Sequence, residues 1–274
     1  MKKKIKLFLI GIAAIVFGTI IYLFLWGKLF PYSPIFIGFD KHELKNTIIY
    51  VQDGVYFDDF TKIDTLTKYV EQFHELRFKS KPKFFLFKDD KSYRQRSLSN
   101  ARFCAFYNGN IVISPWAVKE ADEGKISLNI YLRHELSHSL LFQNKGILSA
   151  YKYPKWLLEG IAVFSTNQMG TSFYPTKAET YSLIKNGNFM PPEYFGTDKE
   201  NKIKLDVEYP QAFIYSEFGC IVDYLISIYG KQKFILYMKA LLEENDNDVI
   251  FKRIYNISFE KVISNFKLSI IKYS

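Results

Sequence analysis

The chain opens with an unbroken apolar stretch, and shorter apolar runs with helical or alternating spacing follow it. From Leu7 to Trp26, twenty consecutive residues carry no charge. As a helix they span about 30 Å, the hydrocarbon thickness of a bilayer. No polar face interrupts the run, which disfavours a buried core helix, and no small-residue cleavage pattern follows it, which disfavours a signal peptide. Residues 7–26 are therefore predicted to cross a membrane.

The lysines on either side of this stretch predict its orientation. Four lysines precede the stretch and only Lys28 follows it closely. Because cytoplasmic flanks carry the excess of positive charge, the N-terminus is expected in the cytoplasm and the rest outside. The sequence predicts a single-pass membrane protein with an extracytoplasmic domain, which we expect in a bacterial cell envelope.

Three segments follow from this pattern. Residues 1–28 are the cytoplasmic tail and anchor. Residues 29–46 are predicted to be a linker, because Pro31 and Pro34 favour extended chain there. Residues 47–274 are predicted to form the folded domain.

The first half of that domain has mainly strand signals. Thr47 to Val51 and Lys83 to Phe87 read as strands, and a helix over 58–77 is expected to open at Asp58 or Asp59. Two further β-prone runs, 103–107 and 110–114, flank Asn108-Gly109, the dipeptide typical of a two-residue hairpin turn.

Helical spacing dominates after Gly124. Helices are predicted over 125–145, 155–168, 210–229, 232–244 and from about Phe259. Strands followed by helices predict an α+β fold, with a small twisted sheet packed on helices and a mostly helical C-terminal half. The long segment from Met169 to Asp206 is expected as a loop that covers a cleft.

Composition narrows the function classes. The formal charge is +9, but five lysines flank the apolar stretch, and setting them aside leaves +4: Lys2, Lys3, Lys4, Lys6 and Lys28. No basic stripe interleaved with aromatic residues remains, so no nucleic-acid partner is predicted. Cys104 and Cys220 form no CxxC pair, and two separate buried thiols are favoured over one disulfide.

Candidate chemistry lies in an otherwise apolar helical segment, 126–142. It contains His134-Glu-Leu-Ser-His138, in which the i, i+4 spacing puts both imidazoles on one helix face. There they can bind one cation, with Glu135 beside it as a base for water. Two histidines satisfied inside a core helix would leave the charge of Glu135 unexplained, because an unpaired buried charge is costly. His42 and His74 are read as structural or solvated.

A third ligand is needed for such a site. Gly146 and Pro154 are plausible helix stop and start signals, so a second helix can return towards the first. That helix is apolar and has one acid near its start, Glu159. If the two helices converge on one cation, His134, His138 and Glu159 are its protein ligands, with water in the fourth position.

The two motifs, HELSH at 134–138 and WLLEG at 156–160, resemble those of the gluzincin metallopeptidases. The chain is most similar to the bacterial "peptidase MA-like" domains. The resemblance covers roughly 100–240 and implies a zincin-like domain with one Zn²⁺ per chain and a peptide or protein substrate. It gives Glu135 the role of general base and proton shuttle.

The resemblance also implies two further features. An extended substrate would pair with an edge strand before the active-site helix, expected here at Asn110, Ile111, Val112 and Ile113 and ending at Ser114. A tyrosine would stabilise the oxyanion, and Tyr215 is the candidate, because it stands ten residues before a leucine as in the aminopeptidase branch. Tyr209 is the second choice, and a purely structural tyrosine is also consistent.

Two departures from the family pattern leave alternatives open. Thermolysin-like members carry an acid at the position of Val163, and no GxMEN-type motif for a free amine is present, so aminopeptidase activity is not supported. One alternative is a non-catalytic domain that binds peptides or cell-envelope components on a degenerate zincin fold. A structural zinc site would need a fourth protein ligand, which the sequence does not offer. Substrate preference and oligomeric state do not follow from the sequence.

Overall fold

The N-terminal apolar stretch forms one long exposed helix. A computed structural model describes residues 2–55 and 60–272, and its first helix, α1, runs from Lys2 to Leu25. Over Lys3–Leu25 the mean hydropathy is 2.6, and none of the window is buried. By length and composition α1 is a candidate membrane span, and its crossing of a bilayer stays a prediction.

Among the described residues the sheet has five strands, with its parallel strands in the middle. In chain order they are β1 (Phe39–Glu43), β2 (Ile48–Gln52), β3 (Lys83–Leu86), β4 (Phe103–Ala105) and β5 (Asn110–Ile113). The spatial order is β1-β2-β3-β5-β4. The pairs β2–β3 and β3–β5 are parallel, whereas β1 and β4 pair antiparallel with their neighbours.

The strand that was predicted to lie at the edge of the sheet is an inner strand. Strand β5, which holds Asn110, Ile111, Val112 and Ile113, lies between β3 and β4, and the edge belongs to β4. All four β5 residues are buried, and three are aliphatic, as is typical of a strand covered on both faces. The hairpin places β4 outside β5, and no strand within residues 2–55 and 60–272 pairs with the other side of β4.

The turn of that hairpin also differs from the prediction. The Phe106 N–H donates to the Asn110 carbonyl at 2.8 Å and the Gly109 N–H to the Phe106 carbonyl at 2.7 Å, which defines a three-residue loop and not a two-residue turn. Only Gly109 takes a positive φ, +82°, as in a type I turn followed by a left-handed residue. The Ser139 hydroxyl donates to the Gly109 carbonyl at 2.6 Å and anchors the hairpin tip.

The segment predicted as a linker belongs to the folded domain. Phe30 is fully buried and stacks on Phe39 at 5.0 Å between ring centroids, while Phe85 and Phe87 contact its ring edge-on. Strand β1 also falls within 29–46 and adds to the sheet. Pro31 lies in a 3-10 turn, Phe30–Tyr32, and not in the extended chain that was expected, and the aromatic residues of the segment bury enough apolar surface to dock it.

Ten helices follow α1 in the described part of the chain. They are α2 (Phe60–His74), α3 (Asp90–Arg96), α4 (Pro115–Asp122), α5 (Leu128–Lys145), α6 (Lys155–Ser165), α7 (Lys177–Lys185), α8 (Pro210–Tyr229), α9 (Lys231–Glu243), α10 (Asn247–Tyr255) and α11 (Phe259–Lys272). The α+β arrangement and the helical C-terminal half agree with the prediction. The expected helix start at Asp58 or Asp59 lies outside the described residues.

Helix α5 separates two apolar cores and contributes to both. Leu132, Leu136 and Leu140 pack with residues of the sheet and α2, whereas Leu141 and Phe142 pack with the C-terminal helices. Helix α8 is also long and apolar, but 61% of its apolar window is buried, as expected for a core helix. Helix α5 is thereby held from both sides.

Helices α6 and α8 approach each other closely through two glycines. A Cβ at Gly160 would lie 2.7 Å from the Phe218 carbonyl oxygen, and one at Gly219 would lie 2.9 Å from Val163 Cγ1. Val163 is fully buried. Val163, where the thermolysin-like pattern has an acid, is thus used for helix packing, and this packing fixes α6 and the glutamate on it.

Candidate metal centre

The two histidines of α5 face each other across a single point. His134 and His138 are 5% and 7% exposed, and their Nε2 atoms lie 3.0 Å apart. The ring planes are nearly perpendicular, at 89°. One helical turn separates the two residues, so the backbone of α5 alone sets this approach.

Helix α6 brings Glu159 to the same point. Its Oε2 lies 3.2 Å from His134 Nε2 and 3.5 Å from His138 Nε2. The return of the chain depends on Gly146, which ends α5 at φ +86°, and on Pro154, whose carbonyl accepts the Leu157 and Leu158 N–H groups at the start of α6. Within residues 2–55 and 60–272, these three side chains are the one group that could hold a metal ion.

The three donor atoms fit a small tetrahedral cation. Bonds of 2.0–2.1 Å at tetrahedral angles require donor atoms about 3.4 Å apart, and the observed separations are 3.0, 3.2 and 3.5 Å. Burial by itself raises the pKa of Glu159, but the charges and hydrogen bonds of His138 and His134 lower it to about 2. The carboxylate therefore stays ionised, as a ligand must be.

Gln168 orients the first histidine. Its Oε1 accepts a hydrogen bond from His134 Nδ1 at 2.7 Å, which assigns the proton to Nδ1 and leaves Nε2 free for a metal. Gln168 is fully buried just after α6. Val163, where the thermolysin-like pattern has an acid, offers no acceptor, and Gln168, which ends the helix predicted over 155–168, was not identified from the sequence as this partner.

Removing this acceptor should weaken metal binding. We expect Gln168→Met, which keeps the side-chain length, to lower zinc affinity roughly 10- to 100-fold, because the ligand loses its orienting partner. Gln168→Glu restores an acceptor and should bind zinc at least as tightly as wild type. Competition titration with a chromophoric chelator measures the zinc affinity of both variants. Equal affinity of Gln168→Met and wild type would show that Gln168 does not orient the ligand.

Glu135 projects from α5 towards the edge strand. It is 8% exposed, and its Oε2 accepts the Ala105 N–H of β4 at 2.7 Å. The hydrogen bond fixes the carboxylate against the edge strand, in the cleft that His134 and His138 also line. This is a suitable position for a proton acceptor beside the metal point, the place where the donor atoms of His134, His138 and Glu159 meet.

Two tyrosines, Tyr174 and Tyr215, lie beside the metal-binding groups. The Tyr215 ring stacks on His134 with centroids 6.3 Å apart, and its hydroxyl accepts a hydrogen bond from Gln211 Nε2 at 2.9 Å. Burial raises the pKa of Tyr215, and so does the charge of Glu159. Burial likewise raises the pKa of Tyr174, and the charge of Glu159 raises it further. Both phenols are therefore neutral donors, and Tyr174 was not identified from the sequence.

A cleft of about 910 Å³ opens over these groups. Strand β4 forms one wall, the start of α8 another, and Phe173 and Tyr174 contribute from the segment that was expected to be a covering loop. The rest of that segment includes α7, which packs against α8. Tyr209 also lines the cleft, and it is 46% exposed.

The remaining histidines and the cysteines lie outside the metal point. His74 is fully buried, with Nε2 2.9 Å from the Ser137 hydroxyl and Nδ1 2.8 Å from the Val70 carbonyl. Burial lowers its pKa to about 4, so it is a neutral structural residue. His42 stacks on Phe60 at 4.6 Å. Both cysteines are free thiols, with Cys220 buried and Cys104 partly exposed.

Comparison with known proteins gives matches among solved structures. No protein-family model matches the chain, and no curated protein matches it. Among solved structures the chain is similar to the crystal structure of an M1 zinc metallopeptidase from Deinococcus radiodurans, with 10% identity and a TM-score of 0.43. The match covers 84% of this chain and 50% of that one, so the chain spans about half the length of that protein.

Proposed function

We propose that the chain is a membrane-anchored zinc metallopeptidase of the gluzincin type, with zinc held by His134, His138 and Glu159. The observation that carries the proposal is the meeting of these three donor atoms within 3.5 Å of one another, in a cleft that also holds Glu135. Two imidazoles and one carboxylate leave a fourth position open, as in catalytic zinc sites.

Each residue has a chemical task in this proposal. Zinc, when bound, supplies Lewis-acid polarisation of the scissile carbonyl and lowers the pKa of water. Glu135 accepts the proton of the attacking water and delivers it to the leaving amine, so no covalent intermediate is needed. The hydrogen bond from Ala105 orients Glu135 for this transfer.

The substrate is proposed to add to the free side of β4, in place of the strand expected from the sequence. The bonds between Ser114 N–H and Arg102 carbonyl, and between Phe106 N–H and Asn110 carbonyl, face β5. By the alternation of an antiparallel pair, Phe103 and Ala105 direct their main-chain groups away from β5. The Ala105 N–H is used by Glu135, so Phe103 and the Ala105 carbonyl remain for an extended peptide.

Tyr215 is proposed to stabilise the oxyanion. We expect Tyr215→Phe to lower kcat roughly 10²- to 10³-fold with little change in KM, because the donor acts on charge that develops only in the transition state. Tyr209→Phe, on the same cleft, should stay near wild type. Steady-state kinetics on one peptide decides this, and an unchanged kcat in Tyr215→Phe would contradict the role.

The activity itself is tested on unstructured peptides with the full chain. Hydrolysis should be lost on incubation with a chelator and restored by about one equivalent of zinc per chain, because the open position is needed for chemistry. Mass spectrometry of the products identifies the bond that is cut. A protein that binds zinc and peptides but cuts none of a broad library would favour the non-catalytic binding domain instead.

Membrane anchoring rests on α1 and its flanking lysines. We propose that residues 7–26 cross the bilayer once with the N-terminus in the cytoplasm and the cleft outside. A C-terminal reporter that is active only outside the cytoplasm tests this orientation. An inactive reporter on a fusion protein that is present in the membrane fraction would contradict it.

A further inference from the structure

The anchor helix passes into the domain without a flexible spacer. Helix α1 ends at Leu25, and the Trp26 and Gly27 N–H groups both donate to the Tyr22 carbonyl, at 2.8 and 2.9 Å. The Leu29 N–H donates back to the Leu23 carbonyl at 3.0 Å. Phe30, only five residues after the helix end, is already fully buried in the domain.

Side chains clamp this junction on both sides. The Lys28 ammonium donates to the Arg94 carbonyl and, at 3.0 Å, to the Ser97 carbonyl at the end of α3. The Pro31 carbonyl accepts two side-chain amides of the β4–β5 hairpin, from Asn108 at 2.8 Å and from Asn110 at 2.7 Å. The junction is therefore fixed to the element that carries the edge strand.

The clamp lies directly beside the mouth of the cleft. Tyr32, two residues after Phe30, lines the cleft, and its ring contacts Phe106 at 5.6 Å. Leu98, next to the Ser97 carbonyl that Lys28 binds, also lines the cleft. The chain thus leaves the apolar helix and reaches the cleft rim within a few residues.

The surface around this junction suits a lipid headgroup layer. Ile35 is 60% exposed and Leu98 56% exposed. Arg96 lies over the Phe30 ring at 5.1 Å and donates to the Ile37 carbonyl at 2.8 Å. Apolar side chains among cations favour contact with anionic lipid surfaces. Asp53 is the acid whose charge acts on Arg96, and Asp89 and Asp90 lie at the other end of α3.

We infer that this clamp holds the mouth of the cleft at the bilayer surface, so that the site takes polypeptide segments close to where they leave the same membrane. The substrate class is an extended juxtamembrane segment of a membrane-tethered chain. The inference about substrate rests on the proposed peptidase function and anchor, whereas the position of the cleft rests on the contacts of the clamp. The two parts can be tested separately.

The position of the cleft is measured by fluorescence quenching. The full chain is placed in vesicles that contain anionic lipid and lipid with a nitroxide headgroup. A fluorophore is attached at Leu98→Cys or, as a control, at Leu268→Cys, an exposed position on α11. Wild type, with its own two cysteines, gives the background. Several-fold stronger quenching at position 98 than at 268 is expected, and equal or absent quenching at 98 overturns the inference.

The substrate class is measured with lipid-anchored peptides. The same cleavable sequence is placed about 5 or about 30 residues from the lipid anchor, and an extended chain spans at most about 3.6 Å per residue. Faster cleavage at the near position by roughly tenfold is expected. A flexible insert of about 20 residues between Leu25 and Trp26 should abolish that preference while soluble peptide is still cut.

Each outcome separates the two claims. Equal cleavage of near and far peptides by the wild-type chain overturns the substrate class. If soluble and anchored peptides all stay intact while position 98 is quenched, the proposed function fails and the position of the cleft stands. Cleavage of only the far peptide also overturns the substrate class, whereas the position of the cleft is decided by the quenching at 98.

Discussion

Replacing Glu135 by Gln is expected to lower kcat by roughly 10³-fold or more while one zinc per chain stays bound. The amide keeps the size of the side chain and can accept a hydrogen bond from Ala105, as the carboxylate does at 2.7 Å. It cannot take a proton from water or return one to the leaving amine. The loss therefore falls on kcat, and the fold and the metal ligands are left intact.

A matched variant controls for the effect of charge in the cleft. Glu208 also lines the cleft, and Glu208→Gln removes the same charge away from the metal point, so near wild-type kcat is expected. Single-turnover hydrolysis and metal content are measured on all three proteins. Full activity in Glu135→Gln would refute its role as the base, and loss of zinc would show that the variant had disturbed the ligands instead.

Replacing Glu159 by Ala is expected to remove the stabilisation that zinc gives to the fold. A ligand that binds only the native state stabilises it by about 4 kcal/mol at 1,000 times its Kd, and a carboxylate that bridges two helices is required for that affinity. Wild type should therefore show a clear rise in Tm with added zinc. Glu159→Ala should show little or none in the same range.

The contacts of Glu159 with the two histidines require a second comparison. Because Glu159 contacts both histidines at 3.2 and 3.5 Å, its removal also changes the metal-free protein. Zinc-dependent and zinc-free Tm values are therefore measured for each variant, and Glu159→Asp keeps the charge with a shorter reach. An equal zinc-induced shift in wild type and Glu159→Ala would exclude Glu159 as a ligand.

The sequence was sufficient for features that depend on local spacing. The i, i+4 histidines require one helix face whatever surrounds them, and α5 places His134 and His138 accordingly. The apolar helix with a single acid is likewise local, and Gly146 and Pro154 mark the turn that returns it. Glu159 meets the two histidines because two helices converge, and each of these helices could be predicted from its own sequence.

Features that depend on strand order and on loops could not be predicted from the sequence. A hairpin signal predicts that β4 and β5 pair, but it does not say which of them faces β3, and the edge was assigned to the wrong strand. Gln168 and Tyr174 reach the site from the chain after α6, and no periodicity predicts where such residues fold back. Phe30 shows the same limit, since its burial depends on aromatic partners far along the chain.

The most direct test of the central claim is a count of zinc bound per chain in the full-length protein. Wild type should bind one zinc and His138→Ala should bind none. His74→Gln should still bind one, because His74 contacts Ser137 of α5, next to His138, without being a ligand. Wild-type protein that stays metal-free with excess zinc, or a His138→Ala variant that keeps its zinc, would contradict a site built from His134, His138 and Glu159.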